Sequence, residues 1–316
     1  RSTDNGEEWT RSSEGIPITS ILTLARSPKG SLFAGTVDVG IYRSTDNGTT
    51  WHRVNSGAFS SYVWDIAVRS SDSMIVIAAS DNGYVSTDDG DTWTSLEFPL
   101  GPYAVAVDST QAVCVMVDNQ LLRSRTPLSG NWDTSTISST VEWITTLGIA
   151  PDGSFIAGAD EDGFHRSTDL GTTWQKLNLP PELSSPESIT TVGGNRVYIT
   201  SDGGSIYVSE DNGETWSPFG DGFQIVYSVL DHVGGSEPTF FAMTSDGIQK
   251  TTDDGLRWTL NSSYGIQAMF ISVLARRPGD NRIFAGTHNG LLYATDGDGL
   301  EWEWMAGFER PYYTSV

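Results

Sequence analysis

Short apolar runs rich in β-branched and aromatic residues alternate with clusters of Gly, Asp, Asn and Pro along almost the whole chain. Residues 141–178 show the pattern clearly. "EWITTLGIA" leads to a turn at Pro151-Asp152-Gly153, then comes "SFIAGA" and a second turn at Asp160–Gly163, then "FHRS" and, after another turn, "TWQKLNL". Runs of about five residues bounded by such turn formers predict strands joined by tight connections. No segment carries a convincing apolar period near 3.6 residues, so helices are expected to be scarce.

The layout repeats. S-x-D-x-G-x-x-W occurs at Ser2–Trp9, Ser44–Trp51, Ser86–Trp93, Ser167–Trp174 and Ser209–Trp216, and Thr251–Trp258 is a variant. Two decayed copies end at Trp132 and Trp302, so the eight tryptophans are spaced by 42, 42, 39, 42, 42, 42 and 44 residues. Four strands of about five residues plus turns fill such a period. A four-stranded antiparallel meander repeated at this spacing predicts an all-β fold, a β-propeller of four-stranded blades occupying residues 1–316 as one domain. The strands of each blade are named A to D here, with A and B the most apolar and D starting near the box tryptophan. Seven blades are favoured. The alternative is an eighth blade built from both termini.

Turn chemistry accounts for every residue type in the motif. Glycine supplies positive φ, the aspartate (Asp4, Asp46, Asp88, Asp169, Asp211 or Asp253) accepts backbone N–H groups, and the tryptophan wedges between strands. A propeller needs a sound turn in each blade, whereas an enzyme needs one catalytic pair. The aspartates are therefore assigned to structure.

These motifs resemble the Asp-box, or bacterial neuraminidase repeat, of sialidases, sortilin-type receptors, xyloglucan-degrading glycosidases and photosystem II assembly factors. The resemblance covers nearly the whole chain. It implies the propeller fold and a ligand face opposite the boxes, and it leaves function open because the group contains enzymes, receptors and assembly factors. A sialidase implies an arginine triad, a tyrosine–glutamate pair and an Arg-Ile-Pro element, but "EGIPITS" has glycine where that arginine belongs. A photosystem assembly factor implies a basic patch.

Charge narrows the partners. A formal net charge of −22, with only three lysines and fifteen arginines, disfavours nucleic acid and anionic membrane surfaces. It also argues against the basic patch. The single cysteine, Cys114, lies in the apolar run "QAVCVMV" and excludes an internal disulfide framework. There is no apolar run of about 18 residues and no signal-peptide pattern. The chain starts inside a repeat, without an initiator methionine, as expected for a module of a larger polypeptide.

In an up-and-down meander the A–B and C–D turns share one end of the strands, and the B–C and D–A connections share the other. The boxes take the first face, so function is sought on the second. Its B–C turns carry Asp38, Asp81, Asp118, Asp160-Glu161-Asp162, Asp202 and Asp246, with His288 at the corresponding place in the seventh repeat. Hairpin preference explains these residues, and so does a ring of carboxylates attracting a cation or cationic ligand. Calcium at "GADEDG" is the one cofactor left open, although no EF-hand or RTX spacing supports it. The D–A loops bring Tyr62, Trp64, Tyr103, Trp143, Tyr264 and Tyr312, which suit either sugar stacking or packing between blades. The four histidines, His52, His165, His232 and His288, stand isolated, and no Ser-His-Asp signature or phosphate loop is present. The expectation is a non-catalytic extracellular, periplasmic or cell-surface module that binds a glycan or a protein. The alternative is a glycoside hydrolase using two of the carboxylates opposite the boxes.

Overall fold

The computed structural model describes residues 15–16, 21–46, 48, 50–55, 62–98, 100–140, 143–191, 195–201, 204–220, 226–229, 240–244, 247–251, 253–260, 271–276, 283–287, 292–295 and 303–304. The described strands form seven four-stranded antiparallel sheets, each in sequential order from A to D. Helix among the described residues is limited to two single 3-10 turns, Pro127–Ser129 and Pro181–Leu183. The eight-bladed alternative depends on the two termini, which lie outside the described residues.

The A strands are Ile21–Arg26, Val63–Arg69, Ala104–Val107, Ile144–Ile149, Pro186–Thr191, Val226–Val229 and Ile271–Arg276. Each packs beside the next, and the last returns to the first, so together they make the inner ring of a propeller. The short D strands, such as His52–Arg53 and Gln175–Lys176, form the outer edge and start just after the box tryptophan.

Both faces of blades 2, 3 and 4 are covered, and this explains the unbroken apolar character of their B strands. In Met74–Ala79 every residue is buried. Ile75, Ile77 and Ala79 pack with Phe33 and Ile41 of blade 1, while Met74, Val76 and Ala78 pack with Val113, Val115 and Val117 of blade 3. Cys114 is a buried core thiol whose pKa is pushed up to about 12 by burial.

The box turns join neighbouring blades. In blade 2, Ser86 Oγ donates to Asp88 Oδ1 at 2.8 Å and accepts from Gly90 N at 2.8 Å, while Thr92 donates to Asp88 through its N–H at 2.9 Å and its hydroxyl at 2.6 Å. The same network surrounds Asp46, Asp169 and Asp211, and a version without the second hydroxyl surrounds Asp253. Burial raises the pKa of the Asp88 carboxyl, but the bonds from Thr92 and Ser86 outweigh it and hold the group at about 2. The boxes of blades 2, 4, 5 and 6 also reach the preceding blade. Trp93 Nε1 donates to Val54 O at 2.8 Å, Arg43 donates to Asp89 O at 2.6 Å, and Arg166 Nε donates to Asn212 O at 3.0 Å. Gly171 has φ +82°, and a methyl group there would lie 2.2 Å from Leu121 Cδ2 of the blade before. Conformation and close approach both require glycine at that position. In the third blade, where the motif has decayed, the 3-10 turn Pro127–Ser129 followed by Gly130 (φ 73°) takes its place.

Candidate functional site

The face opposite the boxes is built from the starts of the A strands and the B–C hairpins. In six of the seven sheets the A–B pairing slips by one residue just after the first A-strand residue, and blade 3 pairs without a slip. Bulges of this kind redirect the side chain at the sheet end. In blade 2 the bulged residue is Trp64, whose ring stacks on Tyr62 with centroids 5.4 Å apart.

Register makes Tyr62 and Trp143 equivalent and sets Tyr103, in the blade without a bulge, one step further along, at the level of Val63 and Trp64. Tyr62, Tyr103 and Trp143 each immediately precede the first paired A-strand residue, which is Val63, Ala104 or Ile144. They stand on three consecutive blades. Trp64, Tyr103 and Trp143 are 38%, 41% and 53% exposed, and Leu100 beside them is 54% exposed. Tyr264 and Tyr312 lie outside the described residues.

The described carboxylates of this face differ in their surroundings. Asp38, Asp81 and Asp160 are exposed on separate hairpins. Asp81 accepts the Tyr84 hydroxyl at 2.8 Å, which together with burial raises the tyrosine pKa. Asp118 occupies a two-residue hairpin with φ 52°, and its carbonyl accepts Ile144 N at 3.1 Å. Asp202, Asp246 and His288 lie outside the described residues, as does Asp4.

Asp162 turns toward the outer strands of its own blade. It accepts Ser138 Oγ at 2.8 Å, Thr140 Oγ1 at 2.9 Å and His165 Nε2 at 3.0 Å, and it pairs with Lys176. Burial raises its pKa, but these donors overcome that and leave it well below the usual carboxylate range. His165, isolated in the sequence, is in fact this carboxylate's partner, and burial lowers its own pKa. The arrangement is not a nucleophilic triad, because Ser138 donates to the aspartate and not to the histidine. A calcium ion at Asp160–Asp162 would have to displace Lys176 from the Asp162 carboxylate. Among the described residues no group of three or more His, Cys, Asp or Glu is placed to hold a metal ion.

One carboxylate escaped the sequence candidates. Asp65, on the inner ring, accepts Ile66 N at 2.8 Å and Val105 N at 3.0 Å and is also bonded by Thr23, so it ties blades 1, 2 and 3 together. Asp65 is half-buried, and its partial loss of water raises its pKa to about 6 despite those bonds. Both oxygens already accept backbone N–H groups, which suits a brace better than a catalytic acid. A groove of about 430 Å³ lies on the outer side, between the edge strand of blade 4 and the box of blade 5, lined by Arg166, Trp174, Lys176 and Glu214 among others. Its cations are engaged: Arg166 with Asp152 and Glu214, and Lys176 with Asp162.

Known proteins resemble this chain in fold and, over part of its length, in sequence. It is 27% identical over 162 residues to a probable oligoxyloglucan-reducing end-specific xyloglucanase of Neosartorya fischeri, a match covering 46% of this chain and only 19% of that protein. The GH74 enzyme of Niastella koreensis superposes with a TM-score of 0.64 at 17% identity, covering 89% of this chain and 43% of that one. YCF48 of Cyanidioschyzon merolae superposes with a TM-score of 0.67 at 16% identity, covering 90% and 97%. A YCF48 structure bound to D1 peptide superposes at 0.69, with 14% identity and coverage of 89% and 95%. Likeness at these identities establishes the fold, not the activity. Among the described residues no helix is long and apolar enough to cross a membrane. A family model matches residues 1–151 and 154–270, and the chain belongs to the DUF6242 beta propeller domain family.

Proposed function

We propose that this chain is a non-catalytic binding module of an extracellular, periplasmic or cell-surface protein, and that its ligand, a glycan or a protein, sits on the face opposite the box turns. The turns themselves are read as Asp-boxes, on the strength of their shared hydrogen-bond network. Tyr62, Tyr103 and Trp143 carry the proposal, because each stands at the start of the A strand on one of three successive blades. Aromatic faces on a rigid scaffold are a common ligand platform. Of the described carboxylates nearby, Asp81 accepts the Tyr84 hydroxyl and Asp162 is engaged by Ser138, Thr140, His165 and Lys176. YCF48, a propeller of the same fold, is seen with a bound peptide.

The second reading is a glycoside hydrolase, favoured by the sequence match to the probable xyloglucanase. Incubation with xyloglucan and mixed polysaccharides, read by mass spectrometry, separates the two. The binding-module reading predicts unchanged substrates at high protein load and retention on a ligand matrix that Trp143→Ala abolishes. Release of oligosaccharides, lost when the Asp81 and Asp160 carboxylates are changed to asparagine, would overturn it.

A further inference from the structure

The connections at the two ends of the strands differ in their basic residues and not in net acidity. Between the first A strand and the last D strand, the segments that connect B to C and D to A strands contain no Lys or Arg and twelve acidic residues, while Arg11 and Arg310 lie in the flanking segments. The A–B and C–D connections, on the box side, hold Lys29, Arg125, Arg196, Arg257, Arg277 and Arg282 together with nineteen acidic residues. The aromatic arc therefore lies within a purely acidic set of loops, whose field favours cationic ligands and repels anionic ones.

Within the arc, each aromatic is bonded to the end of its own blade's B strand, beside a carboxylate. Tyr62 O accepts Ser80 N at 3.2 Å next to Asp81, Tyr103 N donates to Met116 O at 3.1 Å two residues before Asp118, and Trp143 O accepts the N–H of Asp160 itself at 3.3 Å. One ring and one acid thus recur in each of three neighbouring blades.

A flat cation suits such a couple best. Guanidinium stacks on an aromatic face and pairs with a carboxylate in its own plane, whereas an ammonium is a compact point charge and a pyranose offers a face without charge. We infer that this face docks an extended, arginine-bearing segment of a protein partner, with guanidinium groups meeting the aromatic–carboxylate couples of blades 2, 3 and 4. This rests on the binding-module reading and names its ligand.

Isothermal titration of the whole chain with a synthetic peptide of arginines spaced by Gly-Ser provides the test, alongside its lysine and glutamate counterparts and neutral and amine-bearing oligosaccharides. The arginine peptide is expected to bind, more tightly than the lysine peptide, and to weaken as salt is added. Trp143→Ala or Tyr103→Ala should reduce its affinity about fivefold to tenfold, the size of one desolvated cation–π contact, and Trp143→Phe should restore most of it. Both side chains are exposed, and an unchanged thermal transition verifies the fold of each variant. Arc-dependent binding of a neutral or amine-bearing oligosaccharide, without binding of the arginine peptide, would overturn this inference and leave the binding-module reading standing. Arginine-peptide binding that ignores the arc variants would overturn it too, as diffuse attraction to an acidic chain. Failure of every probe to bind the arc would count against both.

Discussion

The Asp65 carboxylate in blade 2 accepts the backbone N–H of Val105 in blade 3 at 3.0 Å, and this bond holds an acid inside the inner ring. Its folded pKa, about 6, lies above the ordinary 3.8. Between those values the folded protein keeps a proton that the unfolded chain has released. The resulting stability is complete below the unfolded value and is lost as pH rises through about 6. Two pKa units correspond to roughly 3 kcal/mol at most.

The box carboxylates act in the opposite sense. Asp88, Asp169 and Asp211 are held at about 2, so their contribution is present above the unfolded value and is lost as pH falls through about 2. Urea unfolding across pH should show stability rising from neutral to mildly acidic conditions and then collapsing at lower pH. Asp65→Asn, which keeps the size and removes the titration, should flatten the upper slope. An unchanged slope would refute the assignment to Asp65.

Removing a box carboxylate tests the turn network directly. Asp88→Ala deletes the acceptor for Ser86 and for both groups of Thr92. A loss of about 1–3 kcal/mol in denaturant unfolding is expected, with ligand binding intact. Loss of binding at unchanged stability would move the functional face to the boxes.

The joint between blades 3 and 4 lends itself to a double-mutant cycle. Gly171→Ala places a methyl group against Leu121 in a left-handed backbone conformation. We expect a cost of about 1–3 kcal/mol, of which Leu121→Ala in the same chain relieves the steric part and leaves the backbone strain. Strict additivity of the two changes would mean that the two residues do not meet.

His165 and Lys176 both bind Asp162. Because burial keeps the histidine's pKa below its usual value, its imidazole should stay neutral through physiological pH, and its NMR titration should fall on the acid side of a free histidine. Asp162→Asn should lower that pKa further by removing the nearby negative charge.

The fold was legible because every blade repeats the same turn: the period of the box tryptophans marks blades, and unbroken apolar runs such as Met74–Ala79 mark strands covered on both faces. The functional side was less so. Tyr62, Tyr103 and Trp143 stand out as aromatics in variable loops, but the matching places of Tyr62 and Trp143 come from strand register, which single-chain composition does not reveal. Asp162 looked like one more turn acid because its partners, Ser138, Thr140, His165 and Lys176, come from other connections and strands of two blades. Asp65 is a single acid in the apolar run "VWDIAV", and only its neighbours on blades 1 and 3 give it meaning. Its one local signal was that charge in an inner-strand sequence. The inter-blade clamps of Arg43 and Arg166 were equally hidden, since the residues they hold lie more than forty positions away.

The most direct test of the central claim compares two double variants with the parent on one array of immobilised glycans and peptides. Tyr103→Ala/Trp143→Ala strips the face opposite the boxes, and Asp88→Asn/Asp211→Asn alters only the box side. Ligands retained by the parent should be lost by the first variant and kept by the second. Ligands kept by the first variant and lost by the second, with both proteins folded, would contradict the account.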